Sequence, residues 1–269
     1  MEIIKYIILG VIQGFTEPLP ISSSGHIFLF KNLFNTNLFN SLNFEIISNF
    51  GSFIAIFIIF WNDIKKLLIA FFSYIFYKNK RKQYLKKFKY CIYIIISTIP
   101  AGITGLIFKN KIENFYTFNG LAIAFLITAL SLIAVYNIKG IKNDNEIRLK
   151  DAIIIGLFQA ITIVPGISRS GTVLVASLLC KFTKDTALKY TFMLYFPISL
   201  ATIVLGIKDL SLTPNLNEML LPYFIGFISA GIITFLTYKW LIKIVKKNKL
   251  WIFSIYCFLL SIFIFIYYN

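Results

Sequence analysis

The stretch QGFTEPLPISSSGH at residues 13–26 sets a carboxylate, three serines and the only histidine of the chain between two apolar runs. Ionisable groups placed among apolar residues are expensive, which makes them functional candidates. A helix that starts near the N-terminus must end here. Pro18 and Pro20 remove backbone donors, and the residue before a proline is pushed out of the α region. Three hydroxyls, Gly25 and a new helix beginning near His26 follow, so the stretch reads as a broken helix with free N–H groups at its turn. Such a turn suits an anion.

The surroundings make the break informative. The chain of 269 residues is 58% hydrophobic and 14% charged, with a mean hydropathy of +0.79. Its apolar runs approach the roughly 20 residues that a bilayer span needs. The expected fold class is an all-α polytopic membrane protein. A net charge of +16 could suggest nucleic acid, but the basic residues cluster in short connections, where they set topology and meet anionic lipid; no nucleic-acid partner is expected. Cys91, Cys180 and Cys257 are odd in number, lack CxxC spacing and read as packing residues. The N-terminal apolar run lacks a basic start and a small-residue cleavage site, and reads as retained.

Taken in order, residues 2–34 form a re-entrant helical hairpin, because irregular backbone survives at membrane depth only where protein or a water-filled cavity satisfies it. A polar segment follows at 35–43. The first span is expected at 44–61, ending at Trp61, Asn62 and Asp63, with an interfacial segment over 65–77. The densest basic run, 78–89, should face the cytoplasm. Spans at 90–108 and 118–137 flank an external connection that carries Lys109, Lys111 and Glu113. The segment 138–151 returns the chain to the cytoplasmic side. A second hairpin at 150–181 and spans at 186–207, 219–240 and 250–267 complete the chain. Both termini should lie outside.

The second hairpin is a copy of the first. Sliding residues 10–26 forward by 146 positions pairs Gly10 with Gly156, Gln13 with Gln159, Thr16 with Thr162, Ile21 with Ile167, Ser22 with Ser168, Ser24 with Ser170 and Gly25 with Gly171. The copies diverge in charge: Glu17 becomes Ile163, Ser23 becomes Arg169 and His26 becomes Thr172. Three spans separate them, an odd number. The predicted architecture is therefore an inverted-topology repeat, residues 1–140 and 147–269, forming one integral membrane domain. Entering from opposite faces, the tips would meet near the centre, with Arg169 approaching Glu17 and His26.

Hydroxyls, backbone donors and a guanidinium at two broken-helix tips are the parts of a phosphate site. A carboxylate and an imidazole add proton transfer, which binding alone does not need and phosphoanhydride cleavage does. Glu17, Ser23, His26 and Arg169 are the expected catalytic residues. Gln13, Thr16, Ser22, Ser24, Gly25, Ser168, Ser170 and Gly171 are expected to line the substrate. The serines equally suit helix caps, and the glycines and Pro20, Pro165 and Gly166 equally shape the loops. Glu45 either helps to hold a cation or marks the interface. A transporter or lipid flippase is the rival reading, because broken helices in inverted repeats also serve alternating access.

The blocks QGFTEPLPISSSGH and VPGISRSG, together with FEIISNFGSFIAIFIIFW at 44–61, closely resemble the integral-membrane undecaprenyl-diphosphate phosphatases, or bacitracin-resistance proteins, across essentially the whole chain. The resemblance implies hydrolysis of a C55 polyprenyl diphosphate to the monophosphate and inorganic phosphate, recycling of the lipid carrier for the cell wall, and bacitracin resistance. It places the catalytic carboxylate on Glu17, the motif serine on Ser23, the histidine on His26 and the arginine on Arg169. It also implies a divalent cation, Mg2+ or Ca2+, with Glu17 as a ligand. The expected partners are undecaprenyl diphosphate, membrane lipids and a second copy of the chain in a homodimer. The expected location is the bacterial plasma (inner) membrane, with the site opening to the external face. One position departs: the family's first motif usually opens with glutamate, where this chain has Gln13.

Overall fold

A computed structural model describes residues 2–33, 42–108, 116–211 and 216–268. The described residues form ten α-helices and no strand. They are α1 (Glu2–Thr16), α2 (Ser23–Leu33), α3 (Leu42–Phe76), α4 (Arg81–Phe108), α5 (Phe118–Val135), α6 (Leu149–Ala160), α7 (Arg169–Leu179), α8 (Lys184–Ser211), α9 (Leu216–Lys246) and α10 (Trp251–Tyr268). Two short helices and three long ones thus occur twice in succession. Six helices are long and apolar enough to cross a membrane. Most of the polar segment expected at 35–43, and the connection with Lys109, Lys111 and Glu113, lie outside the described residues.

The helices run further than the apolar pattern suggests. No break occurs at Trp61, Asn62 and Asp63, where the first span was expected to end: α3 continues for 35 residues to Phe76, absorbing the expected interfacial segment. None of these residues is a helix breaker, and Asp63 finds a cation, with its carboxylate 3.0 Å from Lys189 Nζ. Likewise the basic run becomes one 3-10 turn, Lys78–Lys80, and the first turns of α4. Charged side chains end the apolar stretch without ending the helix, because a helix satisfies its own backbone in either solvent.

Packing follows the logic of a protein whose outside is apolar. Leu106, Ile107, Phe265 and Ile266 are all at least 60% exposed, so apolarity alone cannot hold the helices together, and small residues and interhelical hydrogen bonds do so instead. Helix α9 lies against both α1 and α3. A Cβ at Gly14 would come within 2.4 Å of the Ala230 carbonyl oxygen, and one at Gly51 within 2.1 Å of the Phe227 carbonyl oxygen. Thr234 Oγ1 donates across the first of these crossings to the Gly14 carbonyl at 3.2 Å. Helix α6 packs on α4 in the same manner: a Cβ at Gly156 would lie 2.8 Å from the Ser97 carbonyl oxygen, and Ser97 Oγ donates to the Ala152 carbonyl at 2.7 Å. Gly10 and Gly156, matched by the internal repeat, both sit at such crossings. Helices α5 and α10 are joined by Ser254 to the Ala129 carbonyl and by Ser261 to the Ala122 carbonyl, each at 2.7 Å.

Gly14→Leu should therefore force α1 off α9 and cost on the order of 1–3 kcal/mol or more by overpacking. Gly102, which faces open space, should accept alanine with a gain of about 0.5–1 kcal/mol from helix propensity. Thermal unfolding of the two variants in detergent, followed by tryptophan fluorescence, should show the first midpoint lowered and the second unchanged or raised.

Candidate active site

The first tip is shaped by its prolines. Helix α1 ends at Thr16, and Ser22 takes a left-handed conformation with φ of 67° before α2 begins at Ser23. Its hydroxyl accepts the Gly25 N–H at 3.4 Å and lies 3.4 Å from Ser24 Oγ. At the second tip Gly166, with φ of +91°, turns the chain so that Ser168 caps α7, its hydroxyl accepting the Gly171 N–H at 3.1 Å. Ser168 Oγ and Ser170 Oγ are 3.3 Å apart. Ser22 and Ser168 thus do the same local work in both copies: they cap the helices. Ser22 and Ser168 are buried, whereas Ser23, Ser24, Arg169 and Ser170 at the helix starts remain half-exposed.

The tips touch. Arg169 Nη2 donates to Glu17 Oε1 at 2.8 Å, and the carboxylate side chain is only 3% exposed. Glu17 Oε2 accepts Ser23 Oγ at 2.5 Å and Gln13 Nε2 at 2.9 Å. Ser170 Oγ donates to the Leu19 carbonyl at 2.9 Å, and a Cβ on Gly171 would lie 3.2 Å from that of Pro20. On its other side the Arg169 guanidinium lies 4.8 Å from the Tyr195 ring centroid, a cation–π contact. The Tyr195 hydroxyl donates to Asn49 Oδ1 at 3.0 Å. An amide, a hydroxyl and a guanidinium are thus gathered on one carboxylate, with the guanidinium supported from α8 and α3.

Thr16 and His26 stand apart from this cluster. The Thr16 hydroxyl turns back to the Ile12 carbonyl at 2.7 Å. His26 is buried, but among the described residues no hydrogen bond joins it to Glu17, Ser23 or Arg169. Its Nδ1 lies 2.7 Å from the Ser22 carbonyl oxygen and its Nε2 lies 2.6 Å from the Tyr256 hydroxyl. The ring meets Phe125 in a T-shaped contact, 5.3 Å between centroids. The expected approach of Arg169 to Glu17 is present as an ion pair; the imidazole takes no hydrogen bond from the guanidinium, and its two ring nitrogens bond to Ser22 and Tyr256.

Among the described residues no three of His, Cys, Asp and Glu gather to hold a metal ion. Glu45 lies 3.9 Å from Lys31 and is not joined to Glu17 by a hydrogen bond. Gln13 Oε1 is buried without a partner, beside the Glu17 carboxylate. A cavity of about 650 Å³ lies elsewhere, lined by Lys86, Lys89, Tyr90, residues 141–142 and residues 144–149. No motif residue lines it.

Comparison with known proteins now bears on this geometry. The family model for Bacitracin resistance protein BacA matches residues 6–263. This chain belongs to the BacA family. It is 42% identical over 270 residues to Undecaprenyl-diphosphatase 1 of Bacillus licheniformis, which covers 99% of this chain and 98% of that protein. Undecaprenyl-diphosphatase 2 of Bacillus thuringiensis is 41% identical, with 97% and 96% covered. Undecaprenyl-diphosphatase of Oceanobacillus iheyensis is 39% identical, with 98% and 96% covered. Family membership and six apolar helices together make the chain a multi-pass membrane protein.

Sequence reasoning missed Asn49, Tyr195 and Tyr256. Asn49 lies within the block 44–61 that carries the resemblance, but nothing in its spacing links it to Tyr195, 146 residues away. Tyr195 and Tyr256 are tyrosines in apolar helices of a chain that contains 15 of them. Only tertiary contact singles them out.

The ion pair should behave as a buried one. Glu17→Gln leaves Arg169 without its counter-charge, and breaking buried pairs costs 3–5 kcal/mol; with the Arg169 side chain 25% exposed, about 2 kcal/mol is expected. Combining it with Arg169→Met should restore much of that loss. A double-mutant cycle on thermal unfolding in detergent measures both effects.

Proposed function

We propose that this chain hydrolyses undecaprenyl diphosphate to undecaprenyl phosphate and inorganic phosphate, and so recycles the lipid carrier of cell-wall synthesis and confers bacitracin resistance. The observation that carries the reading is the Glu17 carboxylate, which accepts a hydrogen bond from Ser23 while it is paired with Arg169. The family and the names of its relatives supply the chemistry. A nucleophile, its base and a guanidinium suited to phosphate stand within one hydrogen-bond network.

In this reading Ser23 attacks the terminal phosphorus and Glu17 takes its proton. The bond to the bridging oxygen breaks, and undecaprenyl phosphate leaves with that electron pair. Water then cleaves the phosphoserine and releases inorganic phosphate. Arg169 turns from Glu17 to the phosphates, its plane backed by Tyr195, and the half-exposed starts of α2 and α7 offer backbone amides to the same oxygens. Ser22, Ser24, Ser168, Ser170, Gly25 and Gly171 keep those helix starts in shape. Glu17 rather than His26 is the base for Ser23, since the hydroxyl already bonds to it.

A Mg2+ or Ca2+ ion fits this set of donors only in part. Glu17 and the unpartnered Oε1 of Gln13 would hold it, and diphosphate oxygens would complete a shell of hard ligands. When bound, the ion neutralises phosphate charge. The amide at Gln13 makes that grip weaker than a second carboxylate would.

The architecture proposed is an inverted-topology repeat, 1–140 and 147–269, with α1–α2 and α6–α7 as re-entrant hairpins. Three long helices between the hairpins, the matched crossings at Gly10 and Gly156 and the contact of the two tips support it. Basic segments at 78–89 and 239–249 favour the cytoplasmic face for those ends, with the site opening to the external face of the plasma membrane.

Phosphate release from a prenyl diphosphate by purified protein in detergent tests the activity. Ser23→Ala and Arg169→Ala should each lower kcat/KM by about 10^2–10^4, whereas Thr16→Ala should stay within a fewfold. Gln13→Glu should make the rate less sensitive to chelator. Vectorial movement of lipid without phosphate release would replace the enzyme by the flippase.

A further inference from the structure

The single histidine of the chain has both ring nitrogens engaged, and the chemistry of the two partners decides which nitrogen carries hydrogen. The Ser22 carbonyl oxygen, 2.7 Å from Nδ1, has no proton to give, so Nδ1 must be the donor. In the neutral ring Nε2 is then a bare acceptor, and the Tyr256 hydroxyl, 2.6 Å away, donates to it. The two rings lie almost parallel, with 8° between their planes, and the Phe125 ring stands at 88° to the imidazole. The nitrogen able to take a proton therefore points at α10, not at Ser23.

We propose that Tyr256 is the positioning residue of His26: it fixes the neutral imidazole as the Nδ1–H tautomer and holds Nε2 through its hydroxyl. A phenol both donates and accepts, so it stays bonded when His26 takes up a proton. Any proton that His26 exchanges at Nε2 during turnover passes to or past the Tyr256 oxygen. Ser22 is the second half of the device, because its left-handed backbone precedes α2 and its carbonyl bonds the ring. The residues are 230 positions apart, and Tyr256 is 42% exposed on α10, so Tyr256→Phe removes one hydroxyl without opening a core cavity. The tautomer follows from the geometry alone; the effect on turnover rests on the phosphatase reading.

Because the chain contains one histidine, protein labelled with 15N-histidine and purified without a histidine tag reports on His26 alone. The two ring nitrogens are told apart by their couplings to the ring C–H protons: Nε2 couples to both, Nδ1 strongly to one. Wild type should show a protonated Nδ1 and an unprotonated Nε2 with the shift of a hydrogen-bond acceptor. In Tyr256→Phe the Nε2 signal should move away from the protonated end of its range. In phosphate release from a prenyl diphosphate, the same variant should lose about tenfold or more in kcat, with KM held within about twofold, as for residues that orient a functional histidine. An unprotonated Nδ1 in wild type, superimposable spectra of the two proteins, or an unchanged kcat each overturns the proposal. If wild type itself releases no phosphate, the enzymatic reading falls, while the nitrogen spectrum still decides the tautomer and its partner.

Discussion

The contact between Glu17 and Arg169 is the constraint on which the rest depends. A carboxylate that is 3% exposed and a guanidinium within an apolar helical bundle are each costly alone and tolerable together. Their meeting requires that two side chains 152 residues apart in sequence, one at each chain break, arrive at one point. That in turn requires α1 to lie close on α9 and α6 close on α4, which the glycines at those crossings permit. Packing far from the chemistry therefore sets the distance across which it works.

The two tips divide the labour. Ser22, Ser24 and Gly25 recur as Ser168, Ser170 and Gly171, and Ser22 and Ser168 do the same thing, capping α2 and α7. The residues that differ carry the charge and the imidazole: Glu17, Ser23 and His26 in one copy stand where Ile163, Arg169 and Thr172 stand in the other. A duplicated scaffold with diverged charges gives an asymmetric site on a repeated frame. The asymmetry extends outward, since Arg169 rests on Tyr195 of α8 while His26 rests on Tyr256 of α10.

Placing Glu17 on Ser23 and Tyr256 on His26 separates two roles that the spacing of the motif leaves merged. Ser23 and His26 lie three residues apart on one helix, which suggests a shared task. In three dimensions the hydroxyl turns to the carboxylate and the imidazole turns to the phenol. The hydrogen bonding at the tip thus has two branches, one at Ser23 and Glu17 and one at His26 Nε2 and Tyr256.

The sequence by itself determined the helical class, the two breaks, their repetition and most of the polar residues at the tips. These are local matters: prolines end helices, apolar runs mark spans, and Gly, Ser and charge are legible where the background is Ile and Phe. It did not determine where helices end beyond the apolar runs, as α3 shows by continuing past Asp63 to Phe76, because a helix needs no apolar neighbour to satisfy its backbone. Nor did it determine which side chains meet. The pairing of Glu17 with Arg169 was legible through the repeat, but the Tyr195 support and the Tyr256 bond were not. Those were decided by how α8 and α10 pack against the tips, and a hydrogen bond across 230 residues leaves no period, spacing or composition in the chain to mark it.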